Sequence, residues 1–334
     1  MNKTLPTLGL LATALSLPLT GLAQTTVFTD TFSNGSTLNG TSTPGGTATA
    51  SSTSYDIAST KAATTGPAIA TGDFTLKLNA ATTGGFLEAQ AIFTSTPVTL
   101  MTAGDYINLT YVFTDTGGTV LAGGASSYFF NGLYNSGGST PLAGSLNNSG
   151  LSTASSSPFA TGNAANWQGY VSRTAASTGN NQLYSRGQQT GVGTTSANQD
   201  LIGNGFGSGA YNNPNGTAIS STASAVALTS GGVYTNSYQI TLSAAGTLAI
   251  TNTLLGSSGT IYSLGNTITG ASVVTNYDGL AIGIRNSGTS FNPTMDISQI
   301  KIIDNIQAVP EPTTLALTGI GIAMAAGWYR RTRQ

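Results

Sequence analysis

The sequence predicts an all-β protein: a two-sheet sandwich or jelly roll. Three observations lead there. Apolar and polar residues alternate with a period of two in many short stretches. Gly- and Asn-rich turns separate those stretches at spacings of roughly 10–20 residues. Between the two ends of the chain, no stretch shows convincing soluble-helix periodicity. No fixed repeat runs through the chain, which argues against a propeller or β-helix.

Taken in order, Val27–Phe32 is a first strand, and a loop around Pro44-Gly45-Gly46 follows. Asp73–Asn79 places Phe74, Leu76 and Leu78 on one face and Asp73, Thr75 and Lys77 on the other. In Phe86–Thr94, Leu87, Ala89, Ala91 and Phe93 oppose Phe86, Glu88, Gln90 and Ile92. Tyr106–Thr114 and the aromatic-rich Ser127–Tyr134 continue the pattern. Residues 136–224 are less regular and are expected to form a long insertion, with strands at Trp167–Arg173 and Gln182–Arg186. Alternation returns at Val233, turns at Ala245-Gly246 and is answered by Thr247–Leu254 as a hairpin. Gly279–Arg285 and Met295–Ile303 complete the set. The segments VFTDTF and MDISQIKI resemble the paired end strands of lectin-like jelly rolls.

The ends read differently. Residues 1–23 have a charged start at Lys3, an apolar run and a small-residue Gly21-Leu22-Ala23 site. This predicts a signal peptide cut by signal peptidase before Gln24. Residues 309–334 begin with Val309, Pro310, Glu311 and Pro312. Next comes an uncharged apolar span, 313–329, and then Arg330, Arg331 and Arg333. Seventeen residues of helix reach about 26 Å, the short end for a single transmembrane helix. Trp328 and Tyr329 suit a membrane interface, and the arginines orient the C-terminus to the cytoplasm. Each proline disfavours a helical conformation in the residue before it, so Val309–Pro312 is expected to be extended.

Motif, apolar span and arginine cluster in this order resemble PEP-CTERM sorting signals. That resemblance implies a bacterial source and a precursor held in the inner membrane. It implies processing by an exosortase-type transpeptidase, then passage to the cell surface or extracellular matrix. The expected domains are a signal peptide (1–23), a sandwich body (24–308) and the sorting tail (309–334).

Composition narrows the chemistry. The chain has 10 Lys and Arg against 11 Asp and Glu. Losing Lys3 and the three tail arginines leaves 6 basic residues, and losing Glu311 leaves 10 acidic ones, so the body is near −4. Nucleic-acid binding is excluded, because too few cations remain to neutralise phosphates. There is no Cys and no His, which excludes thiol and imidazole catalysis and the common zinc sites.

Candidate carbohydrate-binding residues are Glu88, the body's only Glu, with Gln90 beside it, and the polar-aromatic Trp167, Tyr170 and Arg173. Such groups stack on sugar rings or hydrogen-bond hydroxyls. No strand carries acids at alternate positions, so the paired carboxylates of a glycosidase are not evident. No cofactor is expected. Asp30 and Asp296 are weak calcium candidates, should the first and last strands pair. The expected function is an exported, non-enzymatic structural or adhesive protein of a biofilm exopolysaccharide matrix. A lectin-like carbohydrate-binding module is the alternative, and a polysaccharide-degrading enzyme the second.

With no cysteine, burial and backbone pairing must hold the body together. Reducing agent should therefore leave its Tm unchanged in a thermal melt.

Overall fold

A computed structural model describes residues 24–33, 37–38, 54–59, 68–78, 85–116, 120–121, 127–141, 144–145, 163–176, 181–187, 201, 217–222, 225–270, 273–286 and 292–306. The predicted signal peptide and the predicted tail lie outside them. Among the described residues, no helix is long and apolar enough to cross a membrane.

The strands are β1 (Thr25–Asp30), β2 (Thr37–Leu38), β3 (Ser54–Ser59), β4 (Ala68–Ala70), β5 (Asp73–Lys77) and β6 (Gly85–Ile92). Then come β7 (Val98–Thr99), β8 (Tyr106–Thr116), β9 (Tyr128–Asn135), β10 (Gly144–Ser145), β11 (Gln168–Ala175) and β12 (Asn181–Arg186). The last are β13 (Thr217–Thr222), β14 (Val233–Ala244), β15 (Thr247–Gly256), β16 (Gly259–Thr269), β17 (Asn276–Tyr277), β18 (Gly279–Asn286) and β19 (Thr294–Asn305).

They form two large sheets. The first runs β16-β15-β14-β8-β19-β5-β4, with β1 also on β19. The second runs β10-β3-β6-β18-β9-β11-β12-β13, with β2 on β3, and β7 pairs with β17 separately. The all-β, two-sheet reading therefore holds. The 136–224 stretch differs from expectation. Its strands do not form an insertion of their own, because β11 pairs with β9 from Gln168↔Asn135 to Ala175↔Tyr128 and extends the main sheet.

Alternation explains the core. Ile107, Leu109, Tyr111 and Phe113 of β8 point inward, beside Tyr238, Ile240 and Leu242 of β14. Leu87, Phe129, Leu133, Leu280 and Ile282 of the second sheet face them. A polar band crosses this core. Asn236 Nδ2 donates to Asn131 Oδ1 (3.2 Å) and to Asn252 Oδ1 (3.0 Å), so one amide ties strands of both sheets. All three asparagines are fully buried.

The first and last strands do pair, with Asp30 opposite Ile300. The two calcium candidates nevertheless do not meet. Asp296 lies four residues along β19 from Ile300, roughly 13 Å at ~3.4 Å per residue. Asp30 points inward, accepting from Phe32 N (2.7 Å) and the Tyr55 hydroxyl (3.0 Å). Asp296 accepts from Thr75 (2.8 Å) and Thr116 on the other face. Asp30 instead secures Phe32, whose φ of 57° is uncommon for a bulky residue. Packing against Tyr55 and Phe74 holds that ring in place.

Burial raises several carboxyl groups, and the shift is large for two of them. Burial pushes Asp56 up to about 6, and does the same to Asp115 despite the bond Asp115 accepts from Val120 N. Both groups hold their protons more tightly folded than unfolded. Stability from this source is full below the unfolded value near 4 and is lost as the pH rises through 6. The Tm should be higher at ~pH 4.5 than at ~pH 7.5, by about 5 °C, and Asp115→Asn should reduce that difference in a calorimetric scan.

Candidate functional site

The outer face of the second sheet carries most of the predicted binding residues. Strand register arranges them in rows. Asp56, Gln90, Ala281, Gly132, Val171 and Tyr184 make one row. Glu88, Gly283, Phe130, Arg173 and Gln182 make the next. Glu88, Gln90 and Arg173 thus share one face. Tyr170 has the opposite parity on β11 and belongs to the core between the sheets, where its hydroxyl accepts from Val274 N (2.9 Å).

This face is covered rather than open. A second apolar cluster lies on it, containing Trp167, Tyr134, Phe130, Val171, Tyr184 and Leu201. Both Glu88 carboxylate oxygens accept from Leu201 N (3.3 and 3.2 Å), and one accepts from Gln90 Nε2 (2.5 Å). Arg173 stands 4.7 Å from the Tyr128 ring centroid and 5.2 Å from that of Tyr184, and it donates to Gln182. Arg285 approaches the other part of this cluster, 5.4 Å from the Tyr128 centroid. Cation–π attraction gains strength when the cation is desolvated, so this group holds the face together.

Trp167 is fully buried, so it presents no ring to a sugar. Its ring packs on Gly279, and its Nε1 donates to the Ser139 carbonyl (3.2 Å). That bond leads to an open cleft of about 230 Å³ at the ends of β6, β9 and β18. Its walls are Ile92, Thr94, Ser95, Ser136, Gly138, Ser139, Thr140 and Asp278. Three neighbouring strands therefore supply it. Phe93 N donates to the Asp278 carbonyl (2.8 Å), and Asp278 N to the Tyr134 carbonyl (2.9 Å), which fixes Asp278 from both sides.

The turn Ser136-Gly137-Gly138-Ser139 forms one wall. Ser139 N closes it on the Ser136 carbonyl (3.1 Å), and φ is 61° at Gly137 and 79° at Gly138. Positive φ at both central residues is the type I′ pattern, which glycine adopts without strain. Asp278 binds the turn with both oxygens: Oδ1 accepts from Ser136 N (2.7 Å) and Oδ2 from Ser136 Oγ (2.8 Å). Burial raises the Asp278 pKa, and the two Ser136 bonds oppose that. Each carboxylate oxygen can accept more than one bond, so acceptor capacity remains beside the cleft.

Asp278, Ser136 and Thr94 were not singled out by the sequence reading. The available signals were the Gly137-Gly138 pair after an aromatic strand and the Asp278-Gly279 pair before the next. Among the described residues, no group of three Asp, Glu, His or Cys is placed to hold a metal.

No family model matches this chain, and no curated protein does. Solved structures align over most of it at low identity. An endo-1,3-β-glucanase from Streptomyces sioyaensis is 13% identical, covering 87% of this chain and all of its own, with a TM-score of 0.41. Peanut lectin is 11% identical over 76% of this chain and 93% of its own, TM-score 0.37. Basic winged bean lectin is 12% identical over 71% and 88%, TM-score 0.34. The architecture itself rests on the strand pairing above. The expected membership of a PEP-CTERM sorting-signal family is corrected: no family model supports it. The exosortase assignment rested on that resemblance and is corrected with it, while the predicted transmembrane span 313–329 lies outside the described residues.

Trp167 leaves no room for a methyl group on Gly279, where a Cβ would lie 2.7 Å from Cζ3. Gly279→Ala should cost about 1–3 kcal/mol in urea denaturation, and adding Trp167→Leu should recover part of it.

Proposed function

We propose that this protein is an exported, non-catalytic carbohydrate-binding sandwich whose cleft at Asp278 takes part of a neutral polysaccharide. The observation that carries this reading is the cleft's chemistry: one carboxylate, fixed by two bonds, set among the hydroxyl-bearing Thr94, Ser95, Ser136, Ser139 and Thr140. A carboxylate accepts hydroxyl hydrogens strongly, and side-chain hydroxyls both donate and accept. Among the described residues no cation lines the cleft, so an anionic ligand finds no described counter-charge there. Ligand pockets are commonly preformed with a few fixed polar groups, and three paired strands supply that rigidity here. The export half of the reading rests on the apolar start and Gly21-Leu22-Ala23.

A polysaccharide-cleaving reading has one observation in its favour. Asp56 and Glu88 lie diagonally on adjacent strands, a spacing of the order of 7 Å that falls within the range of glycosidase carboxyl pairs. Glu88 is committed to Leu201, which favours a structural role for it.

The test is a glycan array and calorimetric titration with the ligands it finds. Asp278→Asn should weaken binding at least tenfold, the scale of a lost charged hydrogen bond. Glu88→Gln should leave it within about twofold. Binding should also fall as pH drops through the raised Asp278 value, since the protonated group loses acceptor strength. Release of reducing ends by the wild type, abolished in Glu88→Gln, would instead establish the enzyme.

A further inference from the structure

The two sheets have four outer strands along their hydrogen-bonded paths, and three are short: β4 has 3 residues, β10 has 2 and β13 has 6. The fourth, β16, has 11 and pairs with β15 along its length, from Thr247↔Thr269 to Gly256↔Gly259. Among the described residues, no strand pairs with its other side. A long outer strand offers a row of backbone N–H and C=O groups, and proteins normally guard such rows with charge, proline, shortness or a bulge. β16 has only a bulge, at Ile261 near one end, and none of the others. Its sequence, GTIYSLGNTIT, contains no charged residue and no proline. The neutrality extends far beyond the strand, with no Asp, Glu, Lys or Arg from Leu201 to Tyr277.

The outward face of β16 is open to solvent. Tyr262 and Leu264 face the core, while Ile261, Ser263, Gly265, Thr267 and Thr269 are exposed, Ile261 by 38%. Thr267 N donates to the Asn266 side chain (2.9 Å), although register places Thr267 opposite Ala249. Ser263, Gly265 and Thr269 share this parity and therefore turn their N–H and C=O groups away from β15, whereas Ile261 falls at the bulge. The strand is also anchored across the sandwich, through Asn266 Nδ2 to the Ile219 carbonyl on β13. It is a fixed template rather than a fraying end.

We infer that β16 is a self-association edge, pairing antiparallel with β16 of a second copy to join two first sheets into one. The occupant follows from symmetry and charge. Antiparallel pairing about a two-fold axis near Gly265 places Ser263 opposite Thr267 of the other copy, so one neutral strand complements itself. A second β16 brings no like charge to the seam, whereas a charged partner segment finds no counter-charge on this strand. The pairing leaves the Asp278 cleft, at the strand ends of the other sheet, outside the contact. It is thus independent of the carbohydrate proposal.

The test is sedimentation velocity on the full chain from about 1 to 100 µM, with hydrogen exchange of residues 259–269 over the same range. The wild type should move from monomer to dimer, and exchange in β16 should slow at least tenfold. S263K/T267K places lysines opposite one another and should stay monomeric throughout. S263E/T267E should do the same alone, and an equimolar mixture of the two should form a heterodimer. A wild type that remains monomeric overturns the inference. So does a lysine variant that dimerises like the wild type, or β16 protection that appears only when another protein is added.

Discussion

β19 pairs with β8 along nearly its whole length on one flank, and with β5 and then β1 on the other. The partners all lie within residues 25–116, whereas β19 is the last described strand, so the first sheet is incomplete until that strand arrives. The arrangement removes Ile297, Ile300 and Ile302 from water and gives β1 its only pairing among the described residues. Contacts this distant in sequence are expensive in loop entropy before any burial repays them. With no cysteine to shorten the search, the sandwich depends on this closure for its cohesion.

The second sheet solves a different problem. Both its faces are covered, one by the first sheet and one by the cluster around Trp167. Charged residues are therefore placed where an exposed sheet face would ordinarily meet solvent. Glu88 is held by a backbone amide, and Arg173 and Arg285 by aromatic faces. Such groups are costly to bury without partners, so their neighbours are as constrained as they are. This network reaches the cleft through the bond from the Trp167 indole to the Ser139 carbonyl and through Tyr134, whose carbonyl accepts from Asp278 N. The turn that walls the cleft is thus fixed by packing on the sheet behind it.

The strands were legible because their alternation survives in the sequence. Phe74, Leu76 and Leu78, predicted to share a face, are all buried, and Val233 and Thr247 do begin the two strands of a hairpin. Glu88 and Gln90 share a face as their parity predicted, whereas Arg173 joins them only through strand pairing. Three features were not legible. Parity within β11 separates Tyr170 from Arg173, yet their nearness in sequence suggested one site. The burial of Trp167 depends on Gly279, over a hundred residues away, and no local signal announces it. The third is the cleft, which is built by three strand ends brought together by pairing alone. Its residues are ordinary Ser, Thr and Asp in a chain full of Ser and Thr, so composition hid them.

The Gly137-Gly138 turn also bears on how the cleft can diversify. A Cβ added at either position meets no atom within 4 Å, so backbone conformation is the first restriction on the choice. Asn and Asp tolerate that conformation best after glycine, and both carry hydrogen-bonding groups. Two sites on the rim are therefore sterically vacant, pre-oriented and biased towards polar replacements. A lineage carrying this scaffold has a short mutational route to new ligand preferences, one that leaves the sheets untouched.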